Sequence, residues 1–229
     1  MRNSSRLTAD ERRNAIVEAA TKVFAENGFH GTTTRELAKA AGVSEALLYK
    51  HFPSKESLFS AMLATGANGA LSTMFKRIMT LEPSTLTLVI MVNFMISYYA
   101  HSDAAESPTS AMNILQVRSL LADGEFVRLR HKRFAPTWIA KFDDCLQYAI
   151  NAGDLREIPV RRDLRVWFVQ HIAFSLMLNL HPKRPAIDYE ADRESLIEQA
   201  TWFALLGVGL RKEAIQRYYD PNAVARLTK

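Results

Sequence analysis

At 229 residues the chain is long enough to bury a full core in one or two domains. Nothing in its composition, 48% hydrophobic and 23% charged, suggests disorder. A single cysteine, Cys145, excludes an internal disulfide and a cysteine-based metal cluster, and fits a reducing cytoplasm. The formal charge of +5 permits a nucleic-acid partner without demanding one, because residues 1–56 hold 9 Lys and Arg against 7 Asp and Glu. The N-terminal MRNSSRLTADERR has no apolar signal-peptide core. The apolar stretches at residues 86–96 and 166–178 fall short of the ~20 apolar residues that a membrane span requires. The expectation is a cytoplasmic protein with no membrane partner.

Residues 1–8 read as a polar arm in which Arg2 and Arg6 are available to a neighbouring groove. A helix follows with Ile16, Ala19, Ala20, Val23, Phe24 and Asn27 on one stripe, ended by Asn27 and Gly28. Thr33 and Glu36 form a capping box that opens a second helix carrying Leu37, Ala38 and Ala41 inward. Gly42 ends it, Val43 plugs the corner, and Ser44 caps a third helix, EALLYKHF. Pro53 halts that helix near His51, and Ser54 caps a fourth that begins at Lys55. Stop and start signals this close together predict a helix-turn-helix closed by a further helix. Leu47 and Leu48 face its core, while Glu45, Ala46, Tyr49 and Lys50 face out.

The fourth helix is expected to run from Lys55 to about Met79, with Leu58, Phe59 and Met62 in the first core and Phe75, Ile78 and Met79 in a second. Such a helix links two cores as a lever, and Gly66 and Gly69 are placed to bend it. Further helices are predicted at about 85–99, 109–122, 125–151, 163–180 and 190–219, with Pro136 kinking or interrupting the one at 125–151. No strand signal or repeat is visible. The fold class is therefore all-α with about nine helices: an N-terminal helix-turn-helix domain at 1–56 and a C-terminal helical domain at 57–229. The segments around Trp167 and Trp202 are apolar all round and must be covered on both sides, most simply by a second copy in a two-fold four-helix interface. Trp167, Phe174, Trp202 and Leu206 are the expected dimer contacts.

From about Ala9 to Leu63 the chain resembles the DNA-binding region of the tetracycline-repressor (TetR) family. The resemblance rests on Phe24, Gly28, Phe29 and Thr32, on the Ala-Gly-Val-Ser turn at 41–44, and on the Leu-Tyr-x-x-Phe-x-x-Lys-Glu-x-Leu pattern that follows. It implies that Thr33, Thr34, Tyr49, His51 and Lys55 contact phosphates, and that Arg35, Ser44, Glu45, Ala46 and Lys50 meet base edges. It also implies a C-terminal domain that dimerises and senses a small ligand. In that domain the aromatic, Met and polar residues at helical spacing, Phe75, Met95, Tyr98, Tyr99, Met112, Gln116, Trp138, Phe142, His171 and Phe174, are the expected lining of a largely apolar cavity.

An enzyme is the competing class. Asp143 and Asp144 are adjacent and diverge on a helix, the six histidines contain no i, i+4 pair, and no Gly-rich phosphate loop or Gly-x-Ser-x-Gly elbow occurs. No catalytic residue, metal site or cofactor is expected. The reading is a homodimeric transcription regulator, a repressor released from a palindromic operator by a small apolar effector. The alternative is a ligand-independent adaptor or activator of the same fold.

Overall fold

The computed structural model describes residues 7–65, 70–101, 108–182 and 184–223, so the arm residues Arg2 and Arg6 and the glycines Gly66 and Gly69 lie outside the described residues. Among the described residues there are eleven helices and no strand. They are α1 (Ala9–Gly31), α2 (Thr34–Ala40), α3 (Glu45–His51), α4 (Lys55–Thr65), α5 (Ala70–Thr80), α6 (Thr85–Ala100), α7 (Pro108–Leu121), α8 (Glu125–Asn151), α9 (Arg162–Leu180), α10 (Arg193–Gly207) and α11 (Lys212–Tyr218). No described helix is long and apolar enough to cross a membrane.

The count exceeds nine for two reasons. The expected helix over 55–79 is described as α4 and α5, on either side of residues 66–69. The expected helix over 190–219 is α10 and α11, separated at Gly209, whose φ of 102° suits glycine. A Cβ there would stand 3.0 Å from the Arg156 carbonyl. The same corner carries backbone bonds from Arg156 N to Gly209 O and from Arg211 N to Asp154 O, around an isolated bridge between Leu155 and Leu210. The buried Arg165 guanidinium donates to the carbonyls of Val160 and Val208 and fixes the corner from inside. Pro136, by contrast, does not interrupt α8, which continues through it.

The chain divides into two compact units that do not follow the sequence-drawn segments 1–56 and 57–229. The first comprises residues 1–69 and 105–131, which brings α7 and the first turns of α8 together with α1 to α4. Its core gathers Ile16, Ala20 and Phe24 from α1, Leu37 from α2, Leu48 from α3, Leu58 and Phe59 from α4, Met112 and Leu115 from α7, and Phe126 from α8. Phe59 is the centre of this core. Its ring meets Phe24, Phe29 and Phe126 edge-on at centroid distances of 5.2, 4.8 and 5.4 Å.

The second unit comprises residues 70–104 and 132–229. Its axis is α6, which has no charged residue and buries Leu88, Met91, Val92 and Ile96 almost completely. Helices α9, α10 and α11 pack on α6, and α10 also touches α9. A hydrogen bond of 2.7 Å from Thr85 Oγ1 to the buried Asp154 carboxylate ties the start of α6 to the turn after α8.

Candidate nucleic-acid interface

The interface is assembled by three successive caps. Thr33 Oγ1 accepts from Glu36 N at 3.2 Å while Glu36 Oε2 accepts from Thr33 N at 2.8 Å, so both orphan donors at the start of α2 are satisfied. The Thr33 backbone and hydroxyl bonds hold the Glu36 carboxyl below its usual value, and the box is complete wherever Glu36 is ionised. Gly42, with φ 63°, closes α2: its N–H reaches Lys39 O and the Val43 N–H reaches Ala38 O. Ser44 Oγ then accepts from Leu47 N at 3.2 Å and starts α3. Ser54 and Ser57 do the same for α4 by exchanging 3.1 Å bonds.

These caps aim α3 outward. Leu48 is buried, Leu47 is half-buried, and Glu45, Ala46, Tyr49 and Lys50 are exposed. A hydrogen-bond chain ties α3 to the first turn of α2: Tyr49 OH donates to Thr34 Oγ1 at 3.4 Å, and Thr34 Oγ1 donates to Glu45 Oε2 at 3.2 Å. Glu45 Oε1 is left as an outward acceptor. Arg35 and Lys50 are exposed and make no hydrogen bond or ion pair among the described residues. Hydroxyls that would have to turn from these internal bonds, and two unpaired cations, surround a short helix with small residues at its tip, an arrangement that can hold a phosphate backbone while the tip approaches base edges.

Lys55 plays a part that the sequence did not disclose. Its Nζ donates to Phe29 O at 2.8 Å and to Thr32 O at 3.1 Å, and sits 4.4 Å above the Phe29 ring. Two of its three N–H bonds are thus spent on the α1–α2 turn, leaving one for a phosphate. The partners are 26 and 23 residues upstream, a separation no local pattern reveals. Lys55→Met is expected to lower unfolding stability by about 1–3 kcal/mol, measured by urea denaturation, and to weaken DNA binding equally across operator variants. A variant as stable as the parent would contradict the clamp.

The residues expected to line one effector cavity are divided between the two units. Met112 lies in the first core, and the buried Gln116 accepts from Arg130 Nη1 there. The stripe on α7 that looked like cavity lining packs against α1 instead. In the second unit the rings form a continuous series: Phe75 stacks on Trp138 at 5.5 Å, Trp138 meets Phe94 at 6.0 Å, and Phe94, Tyr98, Tyr99 and Phe174 follow at 5.1 to 6.1 Å. Phe142 is buried in that core and Met95 packs against it, while His171 is exposed on α9 beside Phe168. The Trp138 Nε1–H and Asn93 Oδ1 are buried without a hydrogen-bond partner.

Of the expected dimer contacts, Leu206 is on the surface, whereas Trp167 and Trp202 lean on the core and Phe174 contacts Tyr99. On α9 and α10 the large apolar residues left exposed are Phe168 and Leu178, and Phe203 and Leu206, with Phe203 70% exposed. Both helices are rich in apolar residues, so spacing alone does not say which of the neighbouring aromatics is left exposed in the chain.

A helix-turn-helix set on an aromatic core, with a second all-helical unit in the same chain, defines a DNA-binding transcription regulator. Residues 16–62 match the family of bacterial regulatory proteins of the tetR type. The chain is 30% identical over 149 residues to the HTH-type transcriptional repressor KstR2 of Rhodococcus jostii, an alignment covering 63% of this chain and 68% of that protein. It belongs to the TetR family. It is also 33% identical over 100 residues to the HTH-type transcriptional activator FasR of Mycolicibacterium smegmatis, where the match covers 44% of this chain and spans less than half, 46%, of that relative. Among solved structures, the fold is similar to AibR in complex with isovaleryl coenzyme A and operator DNA, with a TM-score of 0.61 and 19% identity over 84% of this chain and 97% of that one.

Proposed function

We propose that the protein is a homodimeric repressor that holds a palindromic operator and is released from it by a small, largely apolar acyl compound. The observation that carries the DNA half is the outward tip of α3, tied to α2 through Thr34, with Glu45 Oε1, Ala46 and Lys50 free to meet bases. In this reading Thr33, Thr34, Tyr49, His51 and the remaining N–H of Lys55 hold phosphates. Glu45 accepts from a cytosine N4, so Glu45→Ala should relax selectivity at one base pair per half-site by about tenfold. Binding competition over all single-base operator variants measures this. A preference unchanged at every position would exclude the assignment.

The exposed apolar residues on α9 and α10 support a second copy as their cover, Phe168 and Leu178 facing Phe203 and Leu206 across a two-fold axis. The unpartnered indole N–H of Trp138, whose ring lies against Phe75 and Phe94, supports an effector with an apolar body and one acceptor such as a carbonyl. Isovaleryl coenzyme A, the ligand of the AibR structure, presents such a carbonyl on a short apolar acyl group, which is the part meant here, joined to the large and anionic coenzyme. Effector binding in the second unit alters the separation of the two α3 helices, and loss of one half-site removes the avidity of the pair.

Adding isovaleryl coenzyme A should raise the melting temperature and release fluorescent operator DNA, whereas free coenzyme A should do neither. Release by free coenzyme A alone would exclude the acyl reading. An activator reading is favoured by one observation, the name of FasR, and predicts that the same compound leaves the protein on its DNA.

A further inference from the structure

The first unit contains an open cleft of about 270 Å³ that neither DNA contact nor the aromatic series of the second unit uses. One wall is the end of α1, from Glu26 to Gly31, and the other is the α7–α8 corner, with Leu115, Arg118, Ser119, Ala122, Asp123 and Phe126. We propose that this cleft is a second small-molecule site, built into the DNA-binding unit itself, for a compact aromatic monocarboxylate.

The cleft has the parts such a ligand needs. Phe29 and Ala122 supply the accessible apolar surface, over a floor of Leu115 and Phe126 that are almost fully buried, and Gly28, with φ 72°, leaves open space where a side chain would project. A volume of this size admits a ligand of about a dozen heavy atoms, near the lower limit for small-molecule pockets. The charges at the rim define the polar end. His30 Nε2 is engaged by Asp123 at 2.8 Å, whereas Arg118 is exposed and makes no hydrogen bond or ion pair among the described residues. A guanidinium in that position accepts one carboxylate through paired N–H donors. With Asp123 engaged by His30, Arg118 and Glu26 are the unpaired charges of the rim among the described residues: one carboxylate can pair with Arg118, whereas a second negative charge, as on a phosphate ester or dicarboxylate, would face Glu26.

The site also has a route to the DNA contacts within its own unit. The Phe29 ring that walls the cleft is the ring beneath the Lys55 ammonium, and the Phe29 carbonyl accepts from the same group. Lys55 is the first residue of α4, directly after α3 and its proline turn. A ligand against Phe29 therefore stiffens the clamp that sets the α1–α2 turn beneath the recognition helix.

The test is an isothermal titration of the full-length protein with 2-naphthoate, in the absence of DNA so that its result does not depend on the operator or the acyl effector. One 2-naphthoate per chain is expected. Arg118→Glu and Ala122→Trp, both at exposed positions, should each weaken it at least about tenfold, and Trp138→Phe in the second unit should leave it unchanged. The neutral 2-naphthamide should bind at least about tenfold more weakly than the acid. Absence of binding at millimolar 2-naphthoate would overturn the proposal. So would binding that survives both cleft substitutions and is lost with Trp138→Phe, which would place the ligand in the second unit.

Discussion

Phe203→Asp is expected to leave the chain folded, convert the protein from dimer to monomer, and reduce affinity for a two-half-site operator by about 10²- to 10⁴-fold. The side chain is 70% exposed, so its replacement removes little of the monomer's own packing, and the thermal midpoint of the isolated chain should change little. In the dimer it would set a carboxylate against Phe168, Leu178 and Leu206 of the seam, where a buried unpaired charge is strongly unfavourable. Sedimentation at micromolar protein measures the first effect and anisotropy on operator DNA the second. A variant that remains dimeric would exclude the α9–α10 seam as the interface.

The other large effect is expected at Phe59. Phe59→Ala removes the ring that Phe24, Phe29 and Phe126 all meet, and a buried Phe→Ala change costs about 3–5 kcal/mol. Domains have only about 5–15 kcal/mol in hand, so specific DNA binding should vanish well below the parent's melting temperature. Urea denaturation followed through the helix signal gives the cost. A loss under about 1 kcal/mol would mean that the four rings are not packed as one core. The same substitution should spare the aromatic series around Trp138, which belongs to the other unit.

The contrast between these two residues shows what the sequence made legible. The helix-turn-helix was legible because its signals are local: Thr33 with Glu36, Gly42, Ser44 and Pro53 each act within four residues, and the caps at Thr33 and Ser44 and the turn at Gly42 stand where expected. The second unit was legible only as helices. Periodicity marked Met112 and Phe142 alike as inward, but the two pack in different units, because inward has no direction until a partner helix is known. The break between α10 and α11 was read through although Gly207 and Gly209 stand at it, since what requires glycine there is the approach of Gly209 to the Arg156 backbone, 53 residues earlier in the sequence. The Lys55 clamp was hidden for the same reason: carbonyl acceptors leave no mark on composition.

Whether the protein engages a specific DNA sequence as a pair of chains is decided by anisotropy. The purified protein is titrated against a duplex from upstream of its own coding region and against a scrambled duplex, at two salt concentrations. Saturable binding by two chains per duplex is expected, with at least ~10³-fold preference over the scrambled sequence that persists at the higher salt. Equal, weak binding to both duplexes that disappears with added salt would contradict it.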